Sequence, residues 1–189
     1  MGKVVADQSV SLDGFSAGTN VRVGNPLGDR GERLHAWYPE GGDQVRDELF
    51  GAAGAMVMGR TMFEVGVEPW GDDPDFHMPV FVVTHDAREP LLKQGATTYF
   101  FVTDGIEGAL ARAKAAAGDK DVAVMGGANV IQQFMNAGLL DELRIHLAHV
   151  LLGDGTRFFN AMNAEQVELE CTRLIESPGA THLTFRLAK

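Results

Sequence analysis

Short apolar runs alternate along this chain with longer stretches of helical period, and that alternation restricts the fold more than any other feature. Such runs have the length of strands buried on both faces, and the helical stretches between them supply the cover those faces need. Lys3–Ser11 (KVVADQSVS) reads as a first strand, broken by Leu12–Asp13–Gly14. Ala55–Met58, Val80–Thr84, Tyr99–Val102 and Val122–Met125 repeat the pattern. Helices are expected from Asp43, a good N-cap, to about Ala53, over Arg60–Val65, over Ile106–Ala117 with Gly118 as its stop, and over Asn129–Ala137 ended by Gly138. Glu142–Leu152 then alternates polar and apolar residues as a half-buried strand does, and Val167–Ile175 and His182–Leu187 flank the turn Ser177–Pro178–Gly179. Interleaved strands and helices followed by antiparallel strands predict an α/β fold. The expected form is a three-layer sandwich around a mixed, mainly parallel sheet with antiparallel C-terminal strands. With 189 residues, one domain spanning 1–189 is expected.

Charge narrows the partners. A net charge of −10 repels nucleic acid and anionic membranes, so an anionic ligand needs a local site of helix N-termini and a few basic groups. The lone Cys171 excludes an internal disulfide and reads as core filler in a late strand. Met1–Gly2–Lys3 leads straight into strand-like sequence, with no signal-peptide or membrane-spanning pattern, so the expectation is a cytoplasmic protein. From Ala17 to Gly42 glycine, proline and charge crowd together, a long connection of the kind that carries function.

In mainly parallel sheets ligands collect at the carboxyl ends of strands, beside helix N-termini. Three such junctions stand out. Met125–Gly126–Gly127–Ala128–Asn129 is either a tight strand–helix turn or a place where a phosphate meets bare backbone; it matches neither a Walker loop nor GxGxxG. Val57–Glu64 offers Gly59 at a helix start, with Arg60 and Thr61 as anion donors, although Thr61 and Glu64 equally suit a capping box. Val82–Val83–Thr84–His85 ends a strand in a hydroxyl and an imidazole. Three anion-friendly strand ends in one small chain point jointly to a nucleotide carrying several phosphates.

The order and spacing of SLDGF (Ser11–Phe15), MGRTMFE (Met58–Glu64), VFVVTH (Val80–His85), VMGGANVIQQF (Val124–Phe134) and ELRIHLAHVLLGDGTRFF (Glu142–Phe159) resembles the dihydrofolate reductase superfamily. It is closest to the group that includes the reductase domain of the riboflavin-biosynthesis deaminase-reductase. The resemblance covers nearly the whole chain and implies a dihydrofolate reductase-like fold with NADPH extended across the sheet edge. It places Gly59, Arg60 and Thr61 on one side of the pyrophosphate, with Arg60 reaching the adenosine 2′-phosphate. Thr84 and His85 fall at the 2′-phosphate and adenine. Gly126, Gly127, Ala128, Asn129, Val130 and Ile131 fall on the other side of the pyrophosphate, and a cis peptide joins the two glycines. Asp13, Gly14, Phe15 and Ser16 border the nicotinamide.

Hydride transfer needs an acceptor held over the nicotinamide, often with a proton donor nearby. Ungapped counting puts Asp43 where dihydrofolate reductase carries its substrate-holding acid, although Asp43 is equally a plain N-cap. Asp13 is the other acid, matched to the SLDG element, or else a turn residue before Gly14. By the same resemblance His146 lies on the strand position that reaches the substrate-holding acid, so Asp13, Asp43 and His146 are the catalytic candidates. Trp37–Tyr38, Trp70 and His77 are aromatic candidates for roofing a flat heterocycle, and Arg22, Arg30 and Arg33 are the only obvious cations for a ribose phosphate. The six histidines lack ligand spacing, so no metal is expected. The leading expectation is an NADPH-dependent reductase of a small heterocyclic or carbonyl substrate, similar to 5-amino-6-(5-phosphoribosylamino)uracil reductase. The alternative is an NADPH-binding module without turnover. The resemblance also implies a homodimer joined through the C-terminal strands, Val167–Leu187.

Overall fold

The computed structural model describes residues 2–38, 43–163 and 167–188, with the side chains of Asp43, Gln44 and Arg46 left aside. Its elements follow the expected order: β1 (Val4–Ser11), β2 (Phe15–Ala17), a 3-10 helix (Gly31–His35), α1 (Asp43–Ala52), β3 (Ala53–Gly59), α2 (Arg60–Gly66), β4 (Pro79–Val83), β5 (Leu91–Leu92), β6 (Thr98–Val102), α3 (Gly105–Ala117), β7 (Asp121–Gly126), α4 (Ala128–Asn136), β8 (Glu142–Ala148), β9 (Thr156–Arg157), β10 (Leu169–Ser177) and β11 (Ala180–Leu187). Nine strands form one sheet in the order β10-β11-β8-β1-β7-β3-β4-β6-β5, while β2 and β9 pair separately. The six central strands, from β8 to β6, are parallel; β11 and β10 continue antiparallel at one edge and β5 at the other. This is the mixed, mainly parallel sheet expected from the alternation. The carboxyl ends of β1, β3, β4 and β7 therefore share one edge.

Strand alternation divides the core. Val4, Ala6 and Val10 of β1 face α3 and α4, where Ala109, Leu110, Ala113, Ile131 and Phe134 complete the largest apolar cluster. On the opposite face Val5 joins Leu49, Met56, Met58, Phe63 and Tyr99. Farther along that face stand Asp7, Ser9 and Ser11, all buried, and beyond them a small separate cluster of Phe15, Leu34, Ala148 and Leu152. A row of polar groups thus lies between two apolar patches of the inner layer.

Three expectations need correction. The alternating strand stops at Ala148 rather than Leu152, because the Asp13 carboxylate accepts the amides of Leu152 (3.1 Å) and Gly153 (2.7 Å) and bends the chain out of the sheet. Cys171 is exposed, not core, because β10 is an edge strand with little covering it. No capping box forms at α2: Gly59 is the N-cap, and Glu64 pairs with Arg88 instead (3.1 Å). Within the long connection after Ala17, the side chains of Thr19, Asn20 and Asn25 donate to the Asp29 carboxylate and close a compact loop ahead of the 3-10 helix. Residues 39–42 of that connection lie outside the described residues. Among the described residues no helix is long and apolar enough to cross a membrane.

Candidate active site

The glycine-ended strands β3 and β7 meet. Met58 is in register with Gly126, and a Cβ built on Gly59 would sit 2.9 Å from Val130 Cγ2 and 3.8 Å from both Gly126 O and Gly127 N. Gly59 therefore lets the two strand–helix junctions close on each other. Gly126 has φ +110° and a cis peptide joins it to Gly127. A Cβ on Gly127 would meet nothing within 4 Å, so this backbone borders open space. Gly59 and Gly127 are the N-caps of α2 and α4; neither helix start carries a side-chain cap or an acidic residue in its first turn. That leaves the positive ends of both helix dipoles unmasked. Ala128, Val130 and Ile131 turn their side chains into the core, and the amides of Val130 and Ile131 are committed to Gly127 O. Of the α4 start, only the 127–129 backbone and the exposed Asn129 side chain face outward.

At the outer end of this rim, Arg60 pairs with Asp86 (3.0 Å), both about half exposed. Thr84 is buried and its Oγ1 accepts the Asp86 amide (3.1 Å), which turns Asp86 toward Arg60. Thr61 and His85 are exposed. A second pair, Glu64–Arg88, runs alongside, with the Arg88 guanidinium over the Phe101 ring.

At the end of β1 the roles separate. Gly14 (φ +89°) borders open space, whereas Phe15 belongs to the small apolar cluster and the Ser16 hydroxyl donates to Thr156 O. The Asp13 carboxylate accepts from Ser11 Oγ (2.6 Å) as well as from the two loop amides. The Ser11 hydroxyl, helped by those amides, lowers its pKa to about 2 against the opposing cost of desolvation. Such a group is ionised at neutral pH and has no proton to donate, so Asp13 acts as a loop clamp. Arg157 of β9 lies over the Phe15 ring, 4.6 Å from its centroid.

The proton-bearing groups sit in the interior, along the polar row of β1. His146 Nε2 lies 3.0 Å from both oxygens of Asp7, and His146 Nδ1 lies 2.8 Å from His182 Nδ1. His182 Nε2 in turn meets Ser177 Oγ at 2.7 Å. Asp7, His146 and His182 are buried. The fully buried Trp37 indole packs on both imidazoles at 4.6 and 4.7 Å, held by its Nε1–H donating to Leu34 O. Burial, reinforced by the neighbouring His146 and opposed by Asp7, lowers the pKa of His182 to about 4, and the same causes bring His35 on the 3-10 helix to about 4. Asp43 opens α1, but its side chain lies outside the described residues.

A cavity of about 810 Å³ opens at the opposite edge, between Phe50, Gly54, His77, Met78 and Lys120. It faces the carboxyl ends of α1 and α3, whose dipoles disfavour an anion, so it does not compete for a phosphorylated ligand. His77 and Trp70 belong to that side, where His77 pairs with Asp73 and Trp70 packs on Phe76; neither roofs the candidate site. Of the proposed aromatic roof only Trp37–Tyr38 stands over its interior. Among the loop arginines, Arg22 donates to Asn20 O and Arg30 serves as the left-handed N-cap of the 3-10 helix.

The family model of the RibD C-terminal domain matches residues 2–183. This chain belongs to that family. A curated protein of Bacillus subtilis (strain 168), YyaP, is 26% identical over 163 residues, which is 83% of this chain and 80% of that protein. Among solved structures, a candidate riboflavin biosynthesis protein from Shewanella sp. PV-4 superimposes with a TM-score of 0.77 at 23% identity, covering 99% of each chain. The Thermotoga maritima diaminohydroxyphosphoribosylaminopyrimidine deaminase/5-amino-6-(5-phosphoribosylamino)uracil reductase gives 0.67 at 14% identity, covering 99% of this chain and 57% of that one. Dihydrofolate reductase from Enterococcus faecalis, solved with NADP(H), gives 0.61 at 16% identity over 100% and 98% of the two chains. The fold is thus dihydrofolate reductase-like, as expected.

Within this RibD C-terminal domain, reading the sequence missed Asp7, His182, Ser177 and Asp86. Asp7 had a signal: a charge in the middle of VVADQSVS, on a strand buried on both faces, requires a partner. The pairing of His146 with His182 had none, since 36 residues separate them and only the antiparallel register of β8 and β11 aligns them.

Proposed function

We propose that this RibD C-terminal domain protein is an NADPH-dependent reductase that transfers a hydride to a small heterocyclic (pyrimidine- or pterin-like) or carbonyl substrate. The carrying observation is the meeting of Gly59 with Gly126–Gly127, where two uncapped helix starts share an edge and the Gly127 backbone borders open space. A pyrophosphate fits that chemistry: backbone amides of two helix starts donate, both dipoles favour the charge, and no acidic side chain of either first turn opposes it. In this reading the 126–129 backbone and Gly59 hold the pyrophosphate, Arg60 and Thr61 the adenosine 2′-phosphate side, and Thr84 and His85 the adenine. Gly14 borders the nicotinamide, which when bound supplies the hydride. The chain's own part is to orient the dinucleotide and to keep a proton on a titratable group. Asp7 and His146, rather than Asp13, suit that second task, because they are paired and buried, and Asp7 stands on the strand next to the one that ends in the glycines.

The test is NADPH oxidation with 5-amino-6-(5-phosphoribosylamino)uracil and with dihydrofolate as separate acceptors, alongside direct NADPH binding. Turnover of the pyrimidine and none of dihydrofolate is the expected result. Micromolar NADPH binding without oxidation on either acceptor favours the non-catalytic binding module, and no binding ends the cofactor reading. We also propose a homodimer through β10 and β11, supported by the exposed Leu169 and Leu174 on the edge strand. Light scattering at a monomer mass rules that out.

A further inference from the structure

Four groups form one hydrogen-bonded line across four adjacent strands: Asp7 on β1, His146 on β8, His182 on β11 and Ser177 at the end of β10. The cofactor rim uses none of these side chains. The line begins beneath Trp37 and ends at a half-buried serine in the turn before the exposed Pro178 and Gly179. Every link is short, 2.7 to 3.0 Å, and every member except the carboxylate can both donate and accept.

We propose that this line is a proton path, carrying protons from solvent at the β10–β11 turn to the Asp7–His146 pair, where the reduction draws on them. The inference rests on the reductase reading above. In the resting arrangement the ionised Asp7 accepts from His146 Nε2–H, His146 Nδ1 accepts from His182 Nδ1–H, and His182 Nε2 accepts from the Ser177 hydroxyl. A proton from water reaches Ser177 Oγ as the serine passes its own to His182 Nε2. The Nδ1 proton of His182 moves to His146 Nδ1. The balance is one proton gained by the Asp7–His146 pair and one tautomer switch at His182; the His146–His182 and His182–Ser177 hydrogen bonds are kept in reversed polarity, and His146 Nε2–H still donates to Asp7. His182 stays neutral throughout, as burial and the adjacent His146 require. The surroundings bias the line without interrupting it: His35 faces it from the 3-10 helix, His149 from beyond β8, and Glu48, Arg144 and Arg173 from α1, β8 and β10 around a narrow crevice at His146 and His182. His182 and Ser177 are positioning residues, acting through the pair.

The experiment compares the full chain with Ser177→Ala, Ser177→Thr and His182→Gln, using NADPH and 5-amino-6-(5-phosphoribosylamino)uracil in H2O and D2O across pH. Expected are kcat losses of roughly tenfold for Ser177→Ala and more for His182→Gln, largest at high pH where protons are scarce. KM and NADPH affinity stay within about twofold, the solvent isotope effect increases, and Ser177→Thr recovers the wild-type profile. Wild-type kcat, pH profile and isotope effect in both Ser177→Ala and His182→Gln overturn the path. If the wild type oxidises NADPH with neither acceptor, the reductase reading fails, and long-range 1H–15N spectra of the resting protein decide the path on their own. As pH falls, His182 is expected to pass from the Nδ1–H to the Nε2–H tautomer. An unchanged His182 tautomer overturns the path.

Discussion

The rim and the interior of the candidate site are built on opposite plans. At the rim the ligand-facing groups are mostly backbone, exposed by glycine at Gly59 and Gly126–Gly127, and the charged side chains pair with each other in water, Arg60 with Asp86 and Glu64 with Arg88. In the interior the backbone is committed to strands, and the chemistry lies in the buried side chains of Asp7, His146 and His182 under Trp37. The rim offers backbone amides, helix dipoles and paired side chains to a charged ligand. The interior holds His182, whose pKa burial pushes down to about 4.

The largest effect expected from this contrast is at Trp37. Trp37→Ala removes a fully buried indole and should cost about 3–5 kcal/mol of stability, read by denaturant unfolding. A loss under 1 kcal/mol means the aromatic cover is not integral to the interior. Next is pH. His35 and His182 titrate near 4 when folded and near 6.5 when unfolded. Between those values the unfolded chain binds protons that the folded one resists, so stability is complete above about pH 6.5 and declines as pH falls toward 4, by up to about 3 kcal/mol for each histidine. Calorimetry showing a flat Tm across that window breaks the assignment. The Asp13 clamp adds a lower window, its contribution present above pH 3.8 and lost as pH falls to about 2. At the rim Arg60→Ala should weaken NADPH roughly tenfold and NADH hardly at all, because only NADPH carries the 2′-phosphate. Equal losses in a fluorescence titration remove Arg60 from that role. Asp86→Asn is the smallest change: releasing Arg60 from its carboxylate should tighten NADPH about two- to fivefold. Weaker NADPH binding instead makes Asp86 a support for Arg60 rather than its competitor.

The same contrast explains how much of the molecule was legible in the sequence. Rim features announce themselves locally: a strand that ends in glycine at a helix start is a contiguous signal, and MGRT and MGGAN each carried one. The α/β order was legible for the same reason, since apolar period is a property of a dozen neighbouring residues. The interior depends on register. His146 was visible as a polar residue on an alternating strand, but its partners come from β1 and β11, brought alongside by parallel and antiparallel pairing that no local pattern encodes. Asp13 illustrates the reverse error. A carboxylate beside the nicotinamide segment suggests an acid, yet its three donors come partly from a loop about 140 residues later, and they fix it as an anion. Cys171 was misplaced because an edge strand and a buried one share the same composition until the sheet order is known.

The polar row of Asp7, Ser9 and Ser11 also has a mechanical consequence. It separates the apolar patch around Met56 and Met58 from the small one formed by Phe15, Leu34, Ala148 and Leu152, so the 3-10 helix packs on a cluster of its own. Cooperative opening follows continuous apolar contact, and that contact is interrupted here. The segment carrying Leu34 and Trp37 can therefore detach as a local unit while α3, α4 and the sheet centre stay closed. Its amides should exchange with solvent at a lower free energy than those of α3, and each such opening would uncover the Asp7–His146–His182 line without unfolding the domain that holds it.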